Sequence, residues 1–202
     1  MGKISKYIGS QFGNPRGLVG KMCCIAMNII NRKMYMKIVS YLSDEKEILD
    51  IGYGNGFLVR EIYSKTSAKI KGIDISEDML IAASNRNRKG VNCKDIELSI
   101  GDCCKLIYED ETFDAVTTVN TIYFWSDTVK GLSEIKRVLC DNGVFYNAVY
   151  TKDWMSKTSY TKEGFRLFEK EEYIEMAKAV GFRDVTIVDI IEGTNFLVIC
   201  KK

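Results

Sequence analysis

From Glu47 to the end of the 202-residue chain, short runs rich in β-branched residues alternate with helix-like stretches. That alternation predicts an α/β fold with a mostly parallel sheet, because parallel neighbours need a crossover helix between them. The expected strands are 47–51, 69–75, 96–100, 113–120, 143–150, 185–190 and 196–200. Ser76 is expected to cap a helix that opens with Glu77 and Asp78 and closes at Gly90. Ser126 is expected to cap another that carries Leu132, Ile135 and Leu139 on one face and stops at Asn142-Gly143. A third is expected to run from Glu171 to Val180, closed by Gly181. Only five residues, 191–195, with Glu192, Gly193, Thr194 and Asn195 among them, separate the last two strands, too few for a crossover, so an antiparallel hairpin is expected there. The predicted architecture is a doubly wound, seven-stranded, mostly parallel sheet that finishes with one antiparallel strand. Residues 1–46 stand apart as a helical segment with apolar Met22, Ile25, Met27, Ile29 and Ile30, aromatic Tyr35, and the one proline of the chain, Pro15.

Composition removes several kinds of chemistry. The chain has no histidine, which excludes Ser-His-Asp and Cys-His nucleophilic catalysis and imidazole zinc sites. The seven cysteines include two adjacent pairs, Cys23-Cys24 and Cys103-Cys104, and no C-x-x-C. They read as small buried hydrophobes in a reducing cytosol, with no metal site, and a cytoplasmic protein is expected. With 29 Lys and Arg against 27 Asp and Glu, the charge is nearly balanced and no basic cluster suggests a nucleic-acid partner. The apolar run 18–30 is too short to span a bilayer and contains Lys21, and Met1-Gly2 is followed by Lys6 where a myristoylation site needs Ser or Thr. No membrane partner is expected.

The stretch Ile48-Leu49-Asp50-Ile51-Gly52-Tyr53-Gly54-Asn55-Gly56 is a buried strand that runs into three alternating glycines and then a helix. Such a loop lets the backbone approach a ligand closely. A phosphate loop would end in Gly-Lys-Ser/Thr, whereas Phe57 and Leu58 follow Gly56. A dinucleotide loop wants its third small residue three after the second glycine, at the bulky Phe57. The loop with its Asp50, Gly52, Gly54 and Gly56 resembles the first motif of the class I S-adenosyl-L-methionine (SAM)-dependent methyltransferase family.

Later segments resemble that family in the same order: Gly72-Ile73-Asp74-Ile75-Ser76, Gly101-Asp102-Cys103, Phe113-Asp114-Ala115-Val116, Glu134 to Leu139 with Asp141-Asn142-Gly143, and Ala179-Val180-Gly181-Phe182. The resemblance covers about residues 47–202 and implies a Rossmann-like SAM-binding domain there, with residues 1–46 as a helical lid carrying Tyr7, Phe12, Asn14 and Arg16. It implies a cofactor wall made of Asp50, Ile51, Gly52, Tyr53, Gly54, Asn55 and Gly56 in the loop, then Asp74, Ile75 and Met79, then Gly101, Asp102 and Cys103, and finally Asn120. In the family the acid at Asp74 bonds both ribose hydroxyls and that at Asp102 meets the adenine amino group. Asp50 either accepts from the ligand's ammonium or fixes the loop through backbone amides. Taken singly, Asp74 could be a capping acid, Asp102 a turn residue and Asn120 a backbone contact.

Methyl transfer from a sulfonium requires no protein nucleophile, which suits a chain without histidine. Positioning alone supplies on the order of 7–11 kcal/mol. An acceptor that sheds a proton needs a base, and Tyr123, Tyr150 and Tyr160 are the candidates. The expected activity is metal-independent transfer to a small-molecule acceptor, yielding S-adenosyl-L-homocysteine, by a monomer or homodimer. A non-catalytic SAM-binding or sensing protein is the alternative, and a nicotinamide-dependent oxidoreductase a third.

Overall fold

The computed structural model describes residues 17–158, 161 and 164–202. Two helices, α1 (Gly17–Ile30) and α2 (Arg32–Val39), precede β1 (Glu47–Ile51) and α3 (Phe57–Lys65). Next come β2 (Lys69–Asp74), α4 (Glu77–Arg86), α5 (Arg88–Asn92), β3 (Ile96–Ile100) and β4 (Phe113–Val119). A 3-10 turn at Ile122–Phe124 leads to α6 (Thr128–Val138), β5 (Leu139–Tyr150), α7 (Lys152–Ser156), α8 (Lys170–Ala179), β6 (Asp184–Ile191) and β7 (Asn195–Lys201).

The strands form one seven-stranded sheet in the order β3-β2-β1-β4-β5-β7-β6. The pairs β1–β2, β1–β4, β2–β3 and β4–β5 are parallel. Only β7 runs antiparallel, to β5 on one side and to its hairpin partner β6 on the other. The order reverses direction between β1 and β4, which is where a doubly wound sheet opens a crevice beyond its strand ends. The α3 helix contacts α2 on one side and α4 on the other, while α6 contacts α8. Ile48, Leu49, Ala115, Val116, Ala148 and Val149 are wholly buried on the central strands, as expected for a parallel sheet covered on both faces. Met34, Ile38, Val39 and Leu42, from α2 and just after it, belong to the same core.

Three local expectations are corrected. The helix after β2 ends at Arg86 rather than Gly90: the Asn87 amide donates to the Ala83 and Gly56 carbonyls at 3.0 Å each, and Gly90 sits inside the short α5. The α6 helix is capped by Asp127, whose carboxylate accepts from the Lys130 amide at 3.0 Å, rather than by Ser126; a carboxylate placed here also meets the positive end of the helix dipole. The α6 helix also ends at Val138, one residue before Leu139, which already pairs with Phe113 in the sheet. Asp141-Asn142-Gly143 therefore lies within β5, where four residues, 140–143, stand opposite Asp114 alone. Asn142 takes a left-handed φ of 65° at this bulge.

Candidate functional site

The loop between β1 and α3 is held by β2. The Gly52 amide donates to the Ile73 carbonyl at 2.7 Å, and the Gly54 amide to Asp74 Oδ2 at 2.8 Å. Gly52 and Gly54 both adopt left-handed backbone, with φ of 70° and 53°, a region that L side chains rarely occupy. Their surroundings differ. A Cβ on Gly52 would collide with the Thr121 side chain, whereas one on Gly54 would project into open space. From the far side, Arg86 Nε donates to the Asn55 carbonyl at 2.8 Å, and the Tyr53 phenol reaches under the sheet to the Ser99 carbonyl at 3.1 Å.

Two carboxylates stand at the floor and edge of this loop. Asp50, at 2% exposure, accepts from the Thr117 hydroxyl at 2.8 Å. Burial pushes its pKa up to about 7, a rise opposed by the Thr117 bond and reinforced by Asp74. Asp74 binds the backbone: besides Gly54, the Ser76 amide donates to its Oδ1 at 3.0 Å. Burial raises the Asp74 pKa too, and the amides of Gly54, Ser76 and Ile75 counter the rise. The loop is therefore fixed through Asp74, while Asp50 takes a side-chain hydroxyl instead.

The next two stations lie at the ends of β3 and β4. Gly101 donates its amide to the Asp74 carbonyl at 3.0 Å, and Asp102 Oδ1 closes a turn by accepting from the Cys104 amide at 2.9 Å. Cys103 is buried; burial first, then its neighbours Cys104 and Asp102, hold its thiol well above the ordinary range. Asp102, Cys103 and Cys104, an exposed carboxylate beside two buried thiols on consecutive residues, bring potential ligand atoms within 4.8 Å of one another. Asn120 follows β4 with a left-handed φ of 58°, and its amide points at Met34 Sδ, 3.7 Å away.

These stations face one cavity of about 260 Å³. Of the expected cofactor residues, Asp50 to Asn55, Asp74, Ile75, Gly101, Asp102, Cys103 and Asn120 reach its wall. Gly56 and Met79 lie off it. Gly56 starts α3 pressed against Asn87 and Ala83, where a Cβ would come within 2.5 Å of the Asn87 amide, and Met79 is wholly buried. The wall also includes Asn31, Tyr35, Phe57 and Thr121, which the motifs do not announce. Asn28, which also lines the wall, and Asn31 carry a visible signal, the first as a polar residue inside the apolar run of α1 and the second as the polar residue between α1 and α2.

A second cavity of about 140 Å³ adjoins the first and shares Met27, Asn120 and Phe124 with it. The rest of its wall is apolar or aromatic: Ala26, Ile30, Tyr123, Tyr150, Trp154, Met155 and Phe165. The Tyr150 and Trp154 rings stack at 4.3 Å between centroids, and Phe165 sits 4.6 Å from Phe124. Both candidate tyrosine bases that lie among the described residues are here, and both hydroxyls are engaged. Tyr123 Oη accepts from the Tyr150 amide at 2.7 Å and lies 3.3 Å from Asn120 Oδ1, to which it donates. Burial holds the Tyr123 phenol far above its usual pKa. The Tyr150 hydroxyl donates to Asn31 Oδ1 at 2.8 Å. Tyr160, like Tyr7, Phe12, Asn14, Pro15 and Arg16, lies outside the described residues.

A family model described as a methyltransferase domain matches residues 49–147. Over 148 residues the chain is 30% identical to a chloroplastic 2-methyl-6-phytyl-1,4-hydroquinone methyltransferase of rice, covering 70% of this chain and 42% of the rice protein. It is also 30% identical to the YrhH protein of Bacillus subtilis, over 73% of this chain and 74% of YrhH. The chain spans about half the length of the quinol methyltransferases that it matches. Its fold superposes with a TM-score of 0.71 on phosphoethanolamine N-methyltransferase 2 of Haemonchus contortus, solved in complex with SAM, at 20% identity over 85% of this chain and 52% of that one. Strand order, glycine loop, strand-end acids and these matches together establish that the chain belongs to the class I SAM-dependent methyltransferase family.

Proposed function

We propose that this protein transfers a methyl group from SAM to a small, flat, largely apolar acceptor, without a metal ion. The observation that carries the reading is the pair of adjoining cavities, one edged by carboxylates and loop amides, the other walled by aromatic and aliphatic side chains. The polar cavity suits an adenosyl nucleoside with an amino-acid tail. The open space beside Gly54 lets a ligand approach the backbone, and Asp50 is a buried carboxylate that lacks a cationic partner among the described residues. Asp50 would hold the α-ammonium, Asp74 the ribose hydroxyls, and Asp102 with Cys103 the adenine. When bound, SAM supplies an electrophilic methyl and departs as a neutral thioether, so the protein need not provide a nucleophile.

The chain's own residues then position and desolvate. Met27, Asn120 and Phe124 stand at the junction of the two cavities and would set the approach of acceptor to methyl. A 1 Å error there is worth about a hundredfold in rate. Among the described residues, no carboxylate, lysine, arginine or cysteine is on the second cavity's wall. Its tyrosine hydroxyls are committed to Asn31, Asn120 and the Tyr150 backbone. This favours an acceptor that enters already ionised, such as a phenolate oxygen or the ring carbon of a hydroquinone monoanion, whose methylated keto form then shifts its ring proton to the oxygen through solvent, over an ammonium that needs a base. Residues 1–46 would act as the cover, since α1 supplies Ala26, Met27 and Ile30 to the second cavity.

The same commitment of both hydroxyls favours, as a second reading, a SAM-binding protein without turnover. Calorimetry with SAM and with NAD, followed by detection of S-adenosylhomocysteine release across a metabolite panel, separates the readings. The proposal expects SAM heat, no tight NAD binding, and release with a hydroquinone-type acceptor. SAM binding with no release from any acceptor would favour the sensing role.

A further inference from the structure

We infer that α1 and its basic flank form a docking surface for an anionic lipid bilayer, set at the mouth of the second cavity. The net charge of +2 conceals an asymmetry. The first 42 residues hold seven Lys and Arg and no Asp or Glu, so the remaining 160 carry 22 basic against 27 acidic residues. Within that acid-free stretch α1 turns an apolar side outward: Met22, Ile25, Ile29 and Ile30 are 71%, 58%, 75% and 57% exposed. At 100° per residue these four fall on one side of the helix, and next along the chain come the exposed Arg32 and Lys33. An exposed apolar stripe beside unopposed positive charge is the pattern of a helix that lies in a membrane interface. No described helix is long and apolar enough to cross a bilayer, so the contact is with the surface only. This revises the expectation of no membrane partner.

Charge chooses the occupant. Two copies of this chain meeting through α1 would bring two acid-free basic segments together, a repulsion that an anionic bilayer replaces with attraction. The same helix places Ala26, Met27 and Ile30 on the wall of the second cavity. A bilayer contact at α1 would thus let a lipid-soluble molecule pass from acyl chains to cavity without crossing water.

The test is flotation of the full chain with vesicles of phosphatidylcholine alone and with about one third phosphatidylglycerol, at low and high salt. The expected result is at least tenfold stronger association with the anionic vesicles, weakened severalfold by salt. Ile25→Asp/Ile29→Asp should lose at least tenfold, and Arg32→Glu/Lys33→Glu should weaken binding and flatten its salt dependence. SAM calorimetry and circular dichroism on the same variants check that they remain folded, and are read independently of any methyl turnover. Equal binding to both vesicle types, retention of binding by the Ile25→Asp/Ile29→Asp variant, or displacement of the vesicles by a DNA duplex would overturn the inference. So would a dimer in sedimentation that the same variant dissolves.

Discussion

The two cavities meet at Asn120 yet are built on opposite principles. The larger is made at the ends of adjacent strands, and its polar contacts are chiefly backbone amides and carbonyls fixed by the sheet: Gly52 to Ile73, Gly54 and Ser76 to Asp74, Gly101 to the Asp74 carbonyl. The smaller is assembled from side chains of α1, the 3-10 turn, the end of β5, α7 and the Phe165 segment, which only tertiary packing brings together. A site drawn from strand ends is set by topology and tolerates little change. One assembled from loops and a terminal helix can be re-lined without disturbing the sheet. This is how one scaffold can keep a cofactor and vary an acceptor.

The contrast is tested most severely at Asp74. Asp74→Ala removes the acceptor for the Gly54, Ser76 and Ile75 amides as well as the proposed ribose partner, each charge-assisted bond contributing about 1.5–3 kcal/mol. We expect SAM affinity to fall at least a hundredfold by calorimetry, with acceptor binding to the second cavity much less affected. Next in size is Gly54→Val. Its φ of 53° is unfavourable for valine, but no atom lies within 4 Å of the added Cβ. Thermal unfolding should register a loss of about 1–3 kcal/mol, whereas SAM affinity should drop more than tenfold because the side chain enters the cavity. Gly52→Val, pressed into Thr121, should instead unfold readily.

Asp50 separates stability from function by sign. Burial holds its folded pKa at about 7 against 3.8 when free, so between those values the folded state binds more protons than the unfolded one. The contribution of this group is most favourable below about pH 4, is lost as pH rises to about 7, and is flat above that. The span is up to about 4 kcal/mol. Asp50→Asn should therefore raise the melting temperature at pH 7.5 while weakening SAM binding at least tenfold. In the wild type, binding a cation next to Asp50 requires the carboxylate, so affinity should fall about tenfold per pH unit below 7. A pH-independent affinity between 5.5 and 8 would remove Asp50 from the site.

Smaller effects probe the second cavity. Tyr150→Phe loses the bond to Asn31, about 1 kcal/mol. It should leave SAM affinity within about twofold and change kcat/KM for acceptor by roughly three- to tenfold, with no altered limb in the pH–rate profile. A lost alkaline or acidic limb would make Tyr150 a base after all. Smallest of all, Cys103→Ser should change SAM affinity by less than about threefold, because its protonated thiol contributes packing rather than charge.

The sheet was legible in the sequence because burial of the central strands on both faces leaves continuous β-branched runs, and the short link between the last two strands, 192–194, allows little but a hairpin. Helix ends were harder. Gly90 reads as a stop but packs its bare Cα against Ile96 and Tyr63, and the real break comes from Asn87, whose side chain binds carbonyls on two elements. Asn142-Gly143 reads as a helix terminus but forms a bulge in β5, since Leu139 finds a strand partner one residue too early for a helix to continue. In the site, Asp50, Asp74, Asp102 and Asn120 stand out because strand ends are local. Thr121 against Gly52, or Asn31 beneath the Tyr150 hydroxyl 119 residues away, depend on tertiary packing that no local pattern encodes.

The chain contains two tryptophans, and the structure assigns one to each cavity: Trp125 to the larger, Trp154 to the smaller. Fluorescence titration of Trp154→Phe, which reports Trp125, and of Trp125→Phe, which reports Trp154, therefore reads the division directly. SAM should shift Trp125 emission and leave Trp154 nearly unchanged, and a hydroquinone added afterwards should quench Trp154. SAM acting equally on both tryptophans, or on Trp154 alone, would contradict the assignment of cofactor and acceptor to separate cavities.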